Sequence, residues 1–171
     1  SVDTQSPLFA RAFVLTENSA GTSPQRVAIV IADIWTCTIA LKTAVRDRLV
    51  AEYGPDFYNY DQLLIAGTHT HAVPGGYSDY FLYNFSMGGF DRRVFNTIVD
   101  AMVDAVKRAH RSMAPGRVLI NEGNVPDCGE IRSEAAYLNN VDAEPDLGKA
   151  VNRTMQLLRF ERFDRQGGEN I

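Results

Sequence analysis

The sequence is poor in the residues that most often bind metals or cross-link a chain. Its 171 residues include three histidines and two cysteines. Cys37 and Cys128 lie far apart and form no Cys-x-x-Cys pattern, so they are buried thiols, a disulfide or residues without a special role. A chain of this length buries about two thirds of the surface that its unfolded form exposes, so it needs no metal or disulfide merely to fold. A structural cross-link is therefore optional.

The sequence also lacks an excess of positive charge and any long hydrophobic run. Its net charge of −4 gives no general attraction to nucleic acid, so we expect no nucleic-acid partner. No run approaches the ~18 apolar residues that a membrane-spanning helix needs. Residues 1–15 lack the basic start and apolar core of a secretion signal. With 45% hydrophobic and 22% charged residues, the composition is that of a soluble globular protein, and its length fits one domain.

The apolar pattern predicts alternating strands and helices. Five segments are typical of strands: residues 9–16, 26–34, 62–68, 117–123 and 155–163. Two segments have helical spacing, namely residues 38–53 and residues 91–113, the second with Asp91 at its N-cap. This order predicts an α/β fold, with a mostly parallel or mixed sheet covered by helices.

Two segments show no strand or helix pattern. Residues 19–25 are rich in turn formers and predict a hairpin connection. Residues 124–153 have no sustained periodicity, and such a long loop is more often functional than idle. Within it, Arg132 is flanked by Glu130 and Glu134, which is typical of a solvated charge cluster.

Two of the histidines, His69 and His71, directly follow a predicted strand and precede a Pro-Gly-Gly turn. If the extended conformation continues through Thr70, both side chains point to one face of the sheet. Neutral imidazole is a common zinc ligand, and ligands of α/β proteins collect beyond the carboxyl ends of strands. The pattern therefore predicts half of a metal site.

The residues alone leave other interpretations of this pair open. The two histidines either bind a metal or merely form hydrogen bonds within a loop. A carboxylate such as Asp33, at the end of its own strand, is a candidate to complete a site with His69 and His71. The third histidine, His110, lies late on the second predicted helix, where it interacts with the helix dipole or with solvent.

Four motifs together resemble the neutral, or alkaline non-lysosomal, ceramidase family. They are THTHAVPGGYSDYFLYN at 68–84, GFDRRVFNTIVDAMVDAVKRAH at 89–110, PGRVLINEG at 115–123 and IRSEAAYLNN at 131–140. The segments FARAFVL and RVAIVIADI also fit, so the resemblance spans nearly the whole chain. It implies a zinc-dependent amidase that cleaves ceramide to sphingosine and a fatty acid.

The resemblance also implies roles for three residues. His69 matches the family's zinc ligand, His71 lies near the scissile amide and holds the developing oxyanion, and Arg132 contacts polar groups of the substrate. Because ceramide has two apolar tails, residues 77–85 are expected either to line an apolar cleft or to belong to the core.

The sequence departs from the family pattern in two ways. Ala72 and Val73 stand where the family usually has serine and glycine, and the family's later zinc ligands have no counterpart here. We therefore expect residues 1–171 to be the amino-terminal portion of a ceramidase-like catalytic domain, whose remainder is the partner that carries further zinc ligands. The resemblance implies a secreted or extracellular-facing protein with peripheral membrane contact. The alternative is a binding module of the same fold that has lost the activity.

Overall fold

The computed structural model describes residues 6–17 and 25–163, together with the backbone of residues 169 and 170. The predicted connection at residues 19–25 lies outside this part, except for Gln25. The chain forms two compact units, Ser1–Met113 and Ala114–Ile171, and each is described by itself. That residues 1–171 are the amino-terminal portion of one catalytic domain stays a prediction.

The first unit contains a three-stranded sheet and three helices. Its elements, in chain order, are β1 (Ala10–Thr16), β2 (Arg26–Ala32), α1 (Ile39–Tyr53), β3 (Leu63–Gly67), α2 (Phe81–Phe85) and α3 (Arg92–Arg111). The sheet has the order β1-β2-β3. β1 pairs with β2 antiparallel, with Ala10 opposite Ala32, whereas β2 pairs with β3 parallel, with Ala28 beside Leu63. The helix α1 is the crossover that parallel pairing requires.

The core of the first unit lies where the strands meet α1 and α3. Alternate residues of β2 are buried, as are Leu41, Val45 and Leu49 of α1. The α3 stripe buries Val99, Met102, Val103 and Val106 in the same cluster. Capping fixes where each helix begins: the Thr38 hydroxyl accepts from the N–H of Leu41, and the Asp91 carboxylate accepts from Arg93 and Val94. Both predicted helices are confirmed.

The second unit is a three-stranded antiparallel sheet with two short helices. Its elements are β4 (Gly116–Asn124), α4 (Glu134–Tyr137), α5 (Leu147–Ala150), β5 (Thr154–Phe163) and β6 (Glu169–Asn170). Among its described residues, Glu161 alone is fully buried. Its carboxylate accepts from Arg117 Nε at 2.6 Å and pairs with Arg159 Nη2 at 2.8 Å. Large apolar residues such as Ile120 and Leu157 are exposed.

The predicted mixed α/β fold is confirmed. Of the described strand pairs, however, only β2–β3 is parallel, so the sheets are mixed or antiparallel rather than mostly parallel. The pattern strand, helix, strand suggested that β4 follows α3 into the first sheet. Instead β4 pairs with β5, because strand pairing depends on contacts distant in sequence that local periodicity does not encode.

Candidate functional site

The site lies at the carboxyl edge of the first sheet, where β2 and β3 end side by side. After β3, the N–H of Thr68 donates to Ala32 O and the N–H of His69 donates to Ile34 O, both at 3.0 Å. Gly67 makes this approach possible, since a Cβ there would lie 2.7 Å from Ile34 O. The segment after β2 therefore holds the histidine segment in place.

The two histidines come together, but not by the predicted geometry. His69 has φ of 63°, a left-handed conformation, so the strand does not continue through Thr70. The ring centroids of His69 and His71 are nevertheless 5.2 Å apart, with the rings at 73° to each other. Both side chains are exposed at the end of the sheet. The turn therefore brings about the proximity that an extended strand was expected to provide.

A hydrogen bond to the backbone orients the His69 ring. Its Nδ1 lies 3.0 Å from the carbonyl oxygen of Trp35. Because a carbonyl oxygen can only accept, Nδ1 carries the proton of the neutral ring, and Nε2 keeps its lone pair. Metal-binding histidines are typically held in this way, with the second ring nitrogen bonded to a carbonyl or carboxylate. His69 is therefore prepared to bind a metal through Nε2.

Two aromatic residues complete this cluster: Trp35, which the sequence analysis did not single out, and Tyr83, which lies in the segment 77–85 that was expected to line a cleft or to belong to the core. The Trp35 ring lies 6.1 Å from the His69 ring and 6.4 Å from the His71 ring, between centroids. Tyr83 of α2 makes an edge contact with Trp35 at 5.2 Å. A signal was present, because Trp35 lies just beyond β2, which ends at Ala32, and parallel strands bring their carboxyl ends to one edge.

The Pro-Gly-Gly turn connects the histidine segment to α3. Gly76 has φ of 83°, and its carbonyl accepts from the N–H of Asp91 at 2.7 Å. A Cβ at Gly76 would lie 2.9 Å from the carbonyl oxygen of Gly89. Only glycine meets both conditions without strain. The turn is thus a fixed contact with the segment that precedes the long helix.

Asp33 has a different role from the one considered for it. Its Oδ2 accepts from the N–H of Phe9 at 2.9 Å, and its Oδ1 accepts from Arg11 Nη1 at 3.1 Å. The bond from Phe9 and the pairing with Arg11 lower the pKa of this carboxyl. Asp33 therefore ties β1 to the end of β2. Across the described residues, no three His, Cys, Asp or Glu side chains are grouped to hold a metal, so the set of His69, His71 and Asp33 is not formed there.

The third histidine is half-buried and belongs to a separate aromatic cluster that includes the core residue Tyr58. His110 Nδ1 lies 2.6 Å from the hydroxyl of Tyr58, and its ring stacks on Tyr53 with centroids 4.4 Å apart. Burial raises the pKa of Tyr58 to about 12, so its hydroxyl stays protonated and donates to Nδ1. Burial, with Arg26 and Arg111 nearby, lowers the pKa of His110, although Glu52 opposes this. His110 is thus a neutral acceptor rather than a surface residue.

This arrangement predicts a pH-dependent stability. The pKa of His110 is below its usual 6.5 in the folded chain. As the pH falls, the unfolded chain therefore binds the His110 proton at a higher pH than the folded chain does. We therefore expect the contribution of neutral His110 to the stability of the folded chain to be complete above pH 6.5. This contribution should be lost as the pH falls from 6.5 through the lower pKa of the folded chain. His110→Gln removes the titration and keeps an acceptor for Tyr58, so its Tm should fall less between about pH 7 and about pH 5 than that of the unaltered chain. Equal losses of Tm in thermal melts would contradict this role.

The cysteines are free thiols. Cys37 is half-buried, and burial raises its pKa, which makes it a poor nucleophile. Cys128 is exposed. Of the three interpretations left open by the sequence, a disulfide between them is therefore wrong.

Arg132, the remaining predicted site residue, lies in the second unit. It is exposed and precedes α4 by two residues. The segment 124–153 around it contains α4 and α5 and is otherwise irregular, as its lack of periodicity indicated. Within the described part of the chain, no helix is both long and apolar enough to cross a bilayer.

Comparison with protein families identifies one match over almost the whole chain. The family model described as neutral/alkaline non-lysosomal ceramidase, N-terminal, matches residues 4–170. A neutral ceramidase of Oryza sativa subsp. japonica is 37% identical over 154 residues, which are 90% of this chain and 19% of that protein. Neutral ceramidase 1 of Arabidopsis thaliana is 38% identical over the same share of each. The chain thus spans about a fifth of the length of these curated relatives.

Solved structures give the same match. The crystal structure of the neutral ceramidase from Pseudomonas aeruginosa superposes with a TM-score of 0.80 at 34% identity, covering 94% of this chain and 24% of that one. A ceramidase complexed with C2 superposes with the same TM-score and identity. Both the sequence and the fold are therefore similar to one portion of these longer chains.

Proposed function

The chain belongs to the neutral/alkaline non-lysosomal ceramidase family, and on that basis we propose that it carries part of a zinc-dependent site for ceramide hydrolysis. The reaction is hydrolysis of the N-acyl amide bond, which gives sphingosine and a fatty acid. Family membership supports the reaction class. The zinc dependence and the division of the site between this chain and a further part of the domain are our inference.

The observation that carries the proposal is the orientation of His69. Its Nδ1 is engaged by the Trp35 carbonyl at 3.0 Å, which leaves Nε2 as a ligand atom at the exposed edge of the sheet. His69 therefore fits zinc as one ligand. When bound, zinc supplies Lewis-acid polarisation of the amide carbonyl and activates water for attack.

The other two predicted residues act on the substrate in this proposal. His71, whose ring is 5.2 Å from that of His69, is close enough to reach the same substrate carbonyl. There its N–H donates to the oxygen on which negative charge develops, an interaction that is stronger in the transition state than in the ground state. Arg132, exposed on the second unit, binds polar groups of the ceramide head.

The proposal requires further zinc ligands besides His69. A zinc site takes three or four protein ligands, and the described residues contain no group of three candidates. We therefore propose that the remainder of a ceramidase-like catalytic domain supplies the other ligands. The chain's coverage of only 19% of the rice relative supports this. A secreted or extracellular-facing location remains our expectation from the family alone.

Zinc binding tests the proposal directly. In titration calorimetry we expect this chain alone to show no tight zinc site, because one imidazole binds zinc weakly. A submicromolar site in the chain alone would contradict the divided site. The polypeptide that joins this chain to the rest of the domain should hold one zinc after dialysis, and His69→Gln should remove it. His110→Gln, a change of a half-buried histidine away from the sheet edge that carries His69, is the matched control and should retain the metal.

The alternative function is a binding module of ceramidase-like fold without catalysis. The specific observation in its favour is that no three-ligand group forms among the described residues. The two functions differ in turnover of ceramide by the same joined polypeptide. Zinc binding without release of fatty acid would favour the binding module.

A further inference from the structure

A buried tyrosine contacts the segment that orients His69. Tyr77 directly follows the Pro-Gly-Gly turn, and its side chain is only 4% exposed, within the core cluster of the first unit. Its hydroxyl lies 3.2 Å from the backbone nitrogen of Thr36 and 3.3 Å from the carbonyl oxygen of Thr36. The hydroxyl therefore accepts one hydrogen bond and donates the other, both with a single residue.

The peptide group that Tyr77 holds also carries the atom that orients His69. The N–H of Thr36 and the C=O of Trp35 belong to one peptide bond, and this bond is trans. In a planar trans peptide the N–H and the C=O point in opposite directions, so fixing one fixes the other. The N–H donates to the Tyr77 hydroxyl at 3.2 Å, and the carbonyl oxygen lies 3.0 Å from Nδ1 of His69. A row of hydrogen bonds thus runs from the Tyr77 hydroxyl to the His69 ring.

Hydrogen bonds in such a row strengthen each other. When the N–H of a peptide group donates a hydrogen bond, its carbonyl becomes a better acceptor. The Trp35 carbonyl competes with water for the His69 proton, because His69 is exposed at the edge of the sheet. Tyr77 therefore favours the ring form in which Nδ1 carries the proton and Nε2 keeps its lone pair.

A different contact holds the backbone of His69. Its N–H donates to Ile34 O at 3.0 Å, and this bond does not involve Tyr77. The tyrosine is itself anchored through the preceding residue, since the carbonyl of Gly76 accepts from the N–H of Asp91 at 2.7 Å. Removing the Tyr77 hydroxyl should therefore alter the His69 ring while the backbone of the site stays in place.

We propose that Tyr77 is a positioning residue for His69. Its hydroxyl fixes the peptide group between Trp35 and Thr36, whose carbonyl holds the His69 ring with Nε2 available to a metal. The inference rests on the proposed function for the metal, whereas the orientation of the ring depends only on contacts within the chain. Groups that hold a metal ligand in place typically contribute about 10–100-fold to metal affinity.

The proton position on His69 in the metal-free chain tests the orientation. Nitrogen-15 NMR of the whole chain distinguishes a protonated ring nitrogen from one with a lone pair, at about pH 8, where free imidazole is neutral. We expect the Nδ1–H form of His69 in the unaltered chain and a mixture with the Nε2–H form in Tyr77→Phe, which keeps the aromatic ring and removes only the hydroxyl. His110 is the internal reference, because Tyr58 holds its Nδ1 at 2.6 Å, and its signals should not change.

Tyr53→Phe is the matched control. The Tyr53 hydroxyl is buried and has no hydrogen-bond partner among the described residues, so the same substitution there removes no hydrogen bond. The control should keep the Nδ1–H form of His69. An unchanged His69 in Tyr77→Phe, or an equal change in the control, would overturn the proposal. A change of His69 and His110 together in Tyr77→Phe would assign Tyr77 a general role in packing and would also overturn it.

The zinc affinity of the joined polypeptide separates this proposal from the proposed function. In competition with a chelator, Tyr77→Phe should bind zinc about tenfold more weakly, at the lower end of the usual effect because the Trp35 carbonyl remains. Unaltered affinity, in a joined polypeptide that binds zinc through His69, would overturn the positioning role and leave the proposed function standing. If the unaltered joined polypeptide binds no zinc while Tyr77→Phe still moves the His69 proton, the proposed function is wrong and the role of Tyr77 in orienting the ring stands.

Discussion

Replacing His69 with glutamine is expected to lower the rate of ceramide hydrolysis by more than about 100-fold, because residues that merely orient a metal ligand already contribute about 10–100-fold. The glutamine side chain has a similar reach but no imidazole Nε2. Its amide is also a weaker ligand for zinc than imidazole. The measurement is kcat/KM of the joined polypeptide with its zinc content determined on the same sample. A variant that keeps both would remove His69 from the site.

His71→Gln is the comparison that separates the two histidines. Loss of a single donor to a developing oxyanion typically lowers kcat by about 10²–10³. We therefore expect His71→Gln to lower kcat by that amount while the protein retains its zinc. Added zinc should not restore its activity. If His71→Gln loses zinc as His69→Gln does, both residues are ligands and the assigned division of roles is wrong.

The second large effect is on stability. Leu49→Ala should lower the free energy of unfolding by about 2–5 kcal/mol, the usual cost of removing a buried leucine side chain and leaving a cavity. Leu49 is completely buried in the cluster formed by α1, α3 and the strands. Urea unfolding followed by circular dichroism measures the difference.

Leu82→Ala is the matched control for Leu49→Ala. The same side chain is removed from a helix, but Leu82 is 79% exposed, so the free energy of unfolding should change by less than about 0.5 kcal/mol. A large loss at Leu82 would mean that its side chain is packed in the folded chain.

The helices of the first unit were readable from the sequence because their signals are local. The spacing of Leu41, Val45 and Leu49 placed α1, and Asp91 correctly marked the start of α3. Apolar periodicity and N-cap chemistry act within a few residues, so they do not depend on distant contacts. The same holds for the existence of the five longer strands, whose boundaries agree with the structure to within a few residues.

Pairing and orientation depend on contacts far apart in the chain. The sequence indicated a strand at 117–123 but not that it pairs with β5 rather than with the first sheet. It indicated that His69 and His71 face one site but gave the wrong backbone geometry, since the left-handed turn at His69 depends on Ile34 and Trp35. Asp33 could not be assigned because its partners are distant in sequence: Arg11 lies in β1 and Phe9 immediately precedes that strand.

The sequence by itself determined the family and the mixed α/β class, because motifs and periodicities are written in neighbouring positions. Only the tertiary structure decided which groups form hydrogen bonds with the rings of His69 and His110. The carbonyl of Trp35 leaves Nε2 of His69 available, whereas the hydroxyl of Tyr58 makes the half-buried His110 an acceptor. The physical reason is that the position of the proton on an imidazole ring depends on the group that forms a hydrogen bond with the ring. Only the folded chain brings that group into contact with it.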